Sequence, residues 1–210
     1  MAALAGKSAD VYIVAASGAG TAFTTEACTA NGARTQYQIT NTSKRYWSTA
    51  TAITVETSPD GVSWTTAGAG TYQLAYAGGI VIFPSAQAVG TQVRVTGAYL
   101  SVSQLANSFE WTLDISANVS EATVFGATWK AQKYTDRQAT ASLKKFWADE
   151  YFFTNLGNEF LLVLYMDQSA GTRYEGLFCM NSDSIASAQS GLVQESVSFT
   201  LDGPLNYSAT

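Results

Sequence analysis

Two pairs of acids are close enough in the chain to raise the question of general acid–base chemistry. Asp149 and Glu150 are neighbours, and Glu110 and Asp114 lie four positions apart. Glycosidic cleavage needs two carboxyl groups held at a defined separation across a cleft. Neighbours on a helix point apart, and Glu110 and Asp114 recur on the polar side of a strand, so both pairs read as structural. The chain has no histidine, which removes the commonest general base and the commonest zinc ligand together. Cys28 and Cys179 are too distant for a Cys-x-x-Cys pair and too few for a disulfide framework. They read as buried, inert thiols of a chain made in a reducing compartment. Gly18-Ala19-Gly20 lacks the Gly-Lys-Ser or Gly-Lys-Thr that would make a phosphate loop and leads into no clear helix. The residues therefore predict no enzyme, no metal and no cofactor.

Binding chemistry has a better case in the aromatic residues. Trp47, Trp64, Tyr72, Tyr76 and Tyr99 could present flat apolar faces to sugar rings, although the core is the commoner fate of aromatics in small β modules. The formal charge of −5 argues against a surface that grips nucleic acid, which needs clustered Lys and Arg. The dense basic patches, Lys130 to Arg137 and the Lys144, Lys145 pair, read as solvated strand ends or subunit contacts.

The elements that would position these groups are almost all strands. Hydrophobic residues make up 47% of the 210 and charged residues 13%, enough apolar surface for a core and too little charge for a disordered chain. Residues 1–20 read as an N-terminal arm or strand that joins the second half. No secretory signal is legible there, and the longest apolar run, Phe160 to Met166, falls well short of the ~20 residues that span a bilayer. From 21 to 103 the chain reads as a small β module. Gln36 to Thr40 and Ile53 to Glu56 alternate apolar and polar residues. Ser58-Pro59-Asp60-Gly61 predicts a reversal, and Ala77-Gly78-Gly79 a hairpin between Tyr72–Tyr76 and Ile80–Phe83.

Residues 104–210 carry the longer, two-faced strands. Phe109, Trp111, Leu113 and Ile115 share one side of a strand, and Glu110, Thr112, Asp114 and Ser116 the other. Val193, Val197, Phe199 and Leu201 oppose Gln194, Ser196, Ser198 and Thr200 in the same way. Glu195 interrupts that apolar side, as a strand-end or interface position would. Further strands are predicted at Gln138 to Leu143, Phe160 to Asp167 and Arg173 to Asn181. One short helix is expected near Ala148 to Leu156, from the spacing of Ala148, Phe152 and Leu156 and the stop at Gly157. The predicted fold is mainly β: a β-sandwich or partly open barrel with one short flanking helix, plus the smaller module. Strands this long must leave sheet edges unpaired, and open edges recruit further chains unless blocked. Copies pairing edge to edge in a closed ring would bury the apolar faces and turn the polar faces toward a wide lumen.

The second half resembles the tail tube protein, or major tail protein, of long-tailed bacteriophages. The likeness rests on Phe109-Glu110-Trp111-Thr112-Leu113-Asp114-Ile115, on Ala141-Ser142-Leu143 leading to Phe146-Trp147, on Arg173-Tyr174-Glu175-Gly176, and on Gly191 through Phe199. It covers about half of the chain. In the first half, Tyr37-Gln38-Ile39-Thr40-Asn41 through Trp47 and Thr71 through Tyr76 are similar to segments accompanying this core in some such proteins. The resemblance implies a β-sandwich core with a flanking helix, and hexameric rings stacked into a hollow virion tail tube through which the genome is ejected. It further implies tape-measure, tail-tip and tail-terminator partners, assembly in the host cytoplasm, transient non-specific passage of DNA, and no membrane insertion. On this reading the lumen-facing candidates are Glu110, Thr112, Asp114, Ser116, Gln194, Ser196, Ser198 and Thr200, and the loops Ser116 to Arg137 and Ser169 to Arg173 make ring-to-ring contacts. Whether residues 21–103 decorate the outside or contribute strands is open. The alternative is a monomeric all-β carbohydrate- or surface-binding module carried by the first-half aromatics.

Overall fold

The computed structural model describes residues 9–122, 128–189 and 191–209. Residues 1–8 of the expected N-terminal arm and residues 123–127 of the expected contact loop Ser116 to Arg137 lie outside them. The chain folds into two separate antiparallel sheets. The first contains β1 (Asp10–Ala15), β9 (Ser103–Gln104), β10 (Ser108–Glu121), β11 (Gln132–Phe146), β12 (Glu159–Asp167), β13 (Thr172–Ala186) and β14 (Gln194–Ser208). Their order across the sheet is β10-β11-β14-β13-β12-β1-β9. The second contains β2 (Thr21–Ala30), β3 (Gln36–Ile39), β4 (Thr54–Ser58), β5 (Thr65–Thr66), β6 (Gln73–Ala75), β7 (Ile80–Ile82) and β8 (Gln92–Tyr99). Its order is β5-β4-β8-β2-β3-β7-β6.

Period-two patterning builds the first core. Directly paired residues share a face, so Trp111, Leu143 and Val197 form one row and Leu113, Ala141, Phe199 and Met180 the next. Phe160, Leu162 and Leu164 on β12 and Val11 and Ile13 on β1 close round the same core. Phe152 plugs it from α1 (Tyr151–Thr154). The helix is shorter than the spacing of Ala148, Phe152 and Leu156 suggests. Glu150 is its N-cap position and makes no side-chain cap; Asp149, one residue earlier, accepts the Tyr151 N–H, and Leu156 remains exposed beyond the helix end.

Two further expectations are revised. Ser116 to Arg137 is not a loop at its flanks, because β10 runs on to Glu121 and β11 begins at Gln132, making one long hairpin. Phe109 leaves the apolar row at an irregularity between Ser108 and Glu110. It is largely exposed and packs on Phe146, ring centres 4.8 Å apart.

The second sheet surrounds Phe23, Tyr37, Ile39, Trp47, Ile53, Val55, Val81, Phe83, Val93 and Val95. The hairpin expected at Gly78-Gly79 joins β6 to β7. Gly79 takes φ 62°, and a Cβ there would meet the backbone of Arg45 at 2.8 Å, so no other residue fits. At the Pro59 reversal the Asp60 carboxylate accepts N–H bonds from Val62 and Ser63 and the Ser58 hydroxyl. Those bonds hold its pKa down at about 2. A depressed carboxylate stabilises the fold above its ordinary value, and here that contribution is lost as pH falls toward about 2.

The two sheets meet through a small apolar contact of Ala77 and Leu100 with Ala16, Leu161 and Leu177, beside a buried carboxylate. Glu175 is fully buried. It accepts from Arg173 Nε at 2.6 Å, Tyr46 Oη at 2.9 Å and Asn206 Nδ2 at 2.9 Å. Arg45 Nη1 lies 3.8 Å away. Arg45 and Tyr46 come from the stretch before β4, so one carboxylate ties that stretch to β13 and β14. Burial and the neighbouring Glu175 charge push the Tyr46 phenol well up. Among the described residues no helix is long and apolar enough to cross a membrane.

Candidate functional site

The first sheet has two sides with different fates. The side opposite the core is covered where β12 and β13 meet the second sheet, around Leu161 and Leu177. Over β10, β11 and the first half of β14 it is uncovered and polar. Register settles which residues share it. Glu110 pairs with Lys144, which pairs with Ser196 and then Ser184 on β13. Thr112, Ser142, Ser198 and Ser182 form the second row, and Asp114, Thr140 and Thr200 the third. Ser116 continues the face opposite Gln138, and Gln194 ends it beside Phe146.

All eight candidate residues thus lie on one face, although β10 and β14 are not neighbours. β11 separates them and contributes Gln138, Thr140, Ser142 and Lys144, which the sequence reading left out. Their signal was the alternation of those four with Ala139, Ala141, Leu143 and Lys145. Ser182 and Ser184 were hidden by the register shift between Met180 and Ser182.

The face is knitted by hydroxyls and one ion pair. Thr112 Oγ1 and Ser142 Oγ are 2.8 Å apart, Asn181 Nδ2 donates to Thr200 Oγ1 at 2.9 Å, and Lys144 Nζ donates to Glu110 at 2.7 Å. That pair is exposed and contributes little to stability. Its effect is to neutralise the lysine, which leaves Asp114 as an exposed acid among hydroxyls and amides. Among the described residues, the named positions of this face offer hydroxyls, amides and acids, and their one cation, Lys144, is paired.

Of the two readings of Glu195, strand end or interface position, the first holds, since it is the second residue of β14; its burial replaces the second. It is 1% exposed and faces Lys145 Nζ at 3.3 Å inside the sheet. Burial pushes its carboxyl above the ordinary range, and the lysine draws it back. Lys145 also lies 5.0 Å from the centre of the Phe152 ring.

The alternative platform of aromatics does not form. Trp47 is fully buried, and Tyr72, Tyr76 and Tyr99 pack against the second core. Trp64 is capped by the Arg94 guanidinium at 4.1 Å. As for metal ligands, Glu159, Cys179 and Asp202 bring their ligand atoms within 4.8 Å of one another. Burial and the two carboxylates push the Cys179 thiol up. Burial, with Glu26 beside it, pushes the Cys28 thiol up to about 12. Both cysteines are free.

No family model matches the chain, and no curated protein does. Among solved structures, it is similar to a chain from the tail of an empty gene transfer agent (GTA) particle with C6 symmetry. The identity is 17% and the TM-score 0.41, over 51% of this chain and 87% of that one. A chain from the virion of a native GTA particle is similar at 17% identity and TM-score 0.41, over 51% of this chain and 89% of that one.

Proposed function

We propose that the protein is a structural, non-catalytic component of a virion tail, whose copies join edge to edge into rings that stack as a hollow tube for DNA. The observation that carries this reading is the divided outer side of the first sheet. One part is covered by the second sheet, and the other is a continuous polar face ending at β10, an edge strand of 14 residues. A long edge strand left open is a template for another chain. Six copies, the number the resemblance implies, each lending β10, β11, β14 and the part of β13 past Cys179, where β12 no longer pairs with it, would close a barrel of about 24 strands. Such a barrel spans roughly 45–50 Å between opposite backbones at ordinary strand spacing and tilt. A barrel that wide encloses water rather than side chains, and the polar rows are the faces suited to it. The second sheet, lying on the other part of that outer side, would sit between the tube wall and its surroundings.

The lumen assignment predicts a separation of assembly from transport. Glu110→Lys with Asp114→Lys adds cations to an exposed face without touching the core rows. Tubes of normal diameter are expected by electron microscopy, with DNA ejection slowed and the slowing relieved by added salt, since counterion release is salt-dependent. Loss of tubes in this variant would show that the face is a contact between copies and not a lumen wall.

A further inference from the structure

The core face of β10 and β11 does not stop where the core stops. Ile115, Ala117 and Val119 continue the row of Trp111 and Leu113, opposite Ala139, Arg137 and Tyr134. Tyr134 reaches this face because the pairing slips between Ala117 and Val119. An extra residue in one strand of a pair re-aims the side chains beyond it, and strict alternation from Ala139 would have put Tyr134 on the opposite face. Ile115 is 53% exposed, Val119 47% and Tyr134 80%. At the root of this stripe Ile115, Ala139, Leu201, Pro204 and Leu205 line an open groove of about 360 Å³, and Arg137, an exposed residue, lines it too. A two-stranded ribbon with an uncovered apolar stripe is marginal alone in water.

The other end of the same strand pair carries the converse feature. β11 leads through Trp147 to α1, where Phe152 is buried but Phe153 and Leu156 project with Trp147, all substantially exposed. Asp149 and Glu150 flank them, both exposed; Asp149 lies 3.8 Å from Lys145 Nζ of its own chain, which leaves Glu150 as the acid most available to a partner's cation. From Ala139 to Phe146 is about 23 Å of strand at ~3.3 Å per residue, and Phe152 pins α1 to the core. No chain can therefore place its own Phe153 in its own groove.

We infer that the groove at the root of the β10–β11 hairpin receives the Phe153 and Leu156 patch of a second copy of this chain, with Arg137 facing Glu150 of that copy. Apolar knob meets apolar hollow, and the charges beside them are opposite. The two surfaces differ, so the contact is head to tail and does not close on itself. Resting on the tube reading, it specifies how one ring would stack on the next.

Ile115→Asp and Phe153→Asp test the pairing, both at exposed positions where the fold tolerates a charge. Either variant alone is expected to weaken stacking roughly tenfold or more, the loss typical of a buried anchor, leaving single rings by electron microscopy and sedimentation. Mixed in equal amounts they retain one intact groove and one intact patch, so two-ring stacks and nothing longer should form. Full-length tubes from either variant, or a mixture no more associated than its parts, would overturn the inference and leave the tube reading standing. If the wild type forms no rings but the mixture pairs one to one, the tube reading fails and the contact survives. A wild type that stays monomeric, with a mixture that does not pair, removes both.

Discussion

Replacing Glu175 by alanine is expected to destabilise the protein by about 3–5 kcal/mol, the cost of stranding the partners of a buried ion pair. Glu175 is 0% exposed, and Arg173, Tyr46 and Asn206 all donate to it. Removing the acceptor leaves the buried Arg173 charge without its counter-charge and two further donors without partners. In a chain of this size the loss corresponds to a fall in Tm of roughly 6–20 °C. Glu175→Gln keeps the shape and two of the hydrogen bonds, so its effect should be smaller but clear. Thermal unfolding followed by circular dichroism measures both. A Glu175→Ala Tm within about 2 °C of wild type would mean that the Glu175 network is not what holds the two sheets together.

Phe152→Ala should have an effect of similar size, about 3–5 kcal/mol. Phe152 is the buried residue of a four-residue helix. Its ring meets Phe160 at 6.2 Å and Phe199 at 6.3 Å between centres, from two different strands. A helix of one turn has no stability of its own, so removing this anchor empties a core position and frees α1 together. Lys145 also loses the ring against which it lies. Chemical denaturation should show the lower midpoint, and hydrogen exchange should show faster opening near Tyr151 to Thr154. Loss confined to α1, with the midpoint unchanged, would contradict the view that Phe152 is part of the main core.

The polar face was legible because a period of two survives without knowledge of partners. Glu110 to Ser116 and Gln194 to Thr200 alternate so regularly that each strand's face could be read alone. Their meeting on one face depends on β11 lying between them in even register, which no local pattern encodes. The hairpin beyond Ser116 read as loop because Ser116, Ala117, Asn118 and Ser120 have little intrinsic strand preference. What holds that stretch extended is its pairing with Gln132 to Arg137. Phe109 and Tyr134 depart from the alternation for a related reason, since both lie at slips in the β10–β11 pairing, and a slip changes a residue's face with no local sequence signal. The buried charges were the least visible. Glu175, Arg173, Lys145 and Glu195 look like solvated residues in sequence, although the i, i+2 spacing of Arg173 and Glu175 does put both on one side of a strand. Glu195 and Lys145 find each other across two strands that are fifty positions apart in the chain.

The central claim, that copies of this chain close into rings and stack as a hollow tube, is tested most directly by negative-stain electron microscopy of the purified full-length protein over a concentration series. The account predicts rings at low concentration and stacked, hollow tubes at high concentration, with a central channel of constant width. A protein that remains a monomer throughout, including after addition of a tail-tip complex to nucleate assembly, would contradict it.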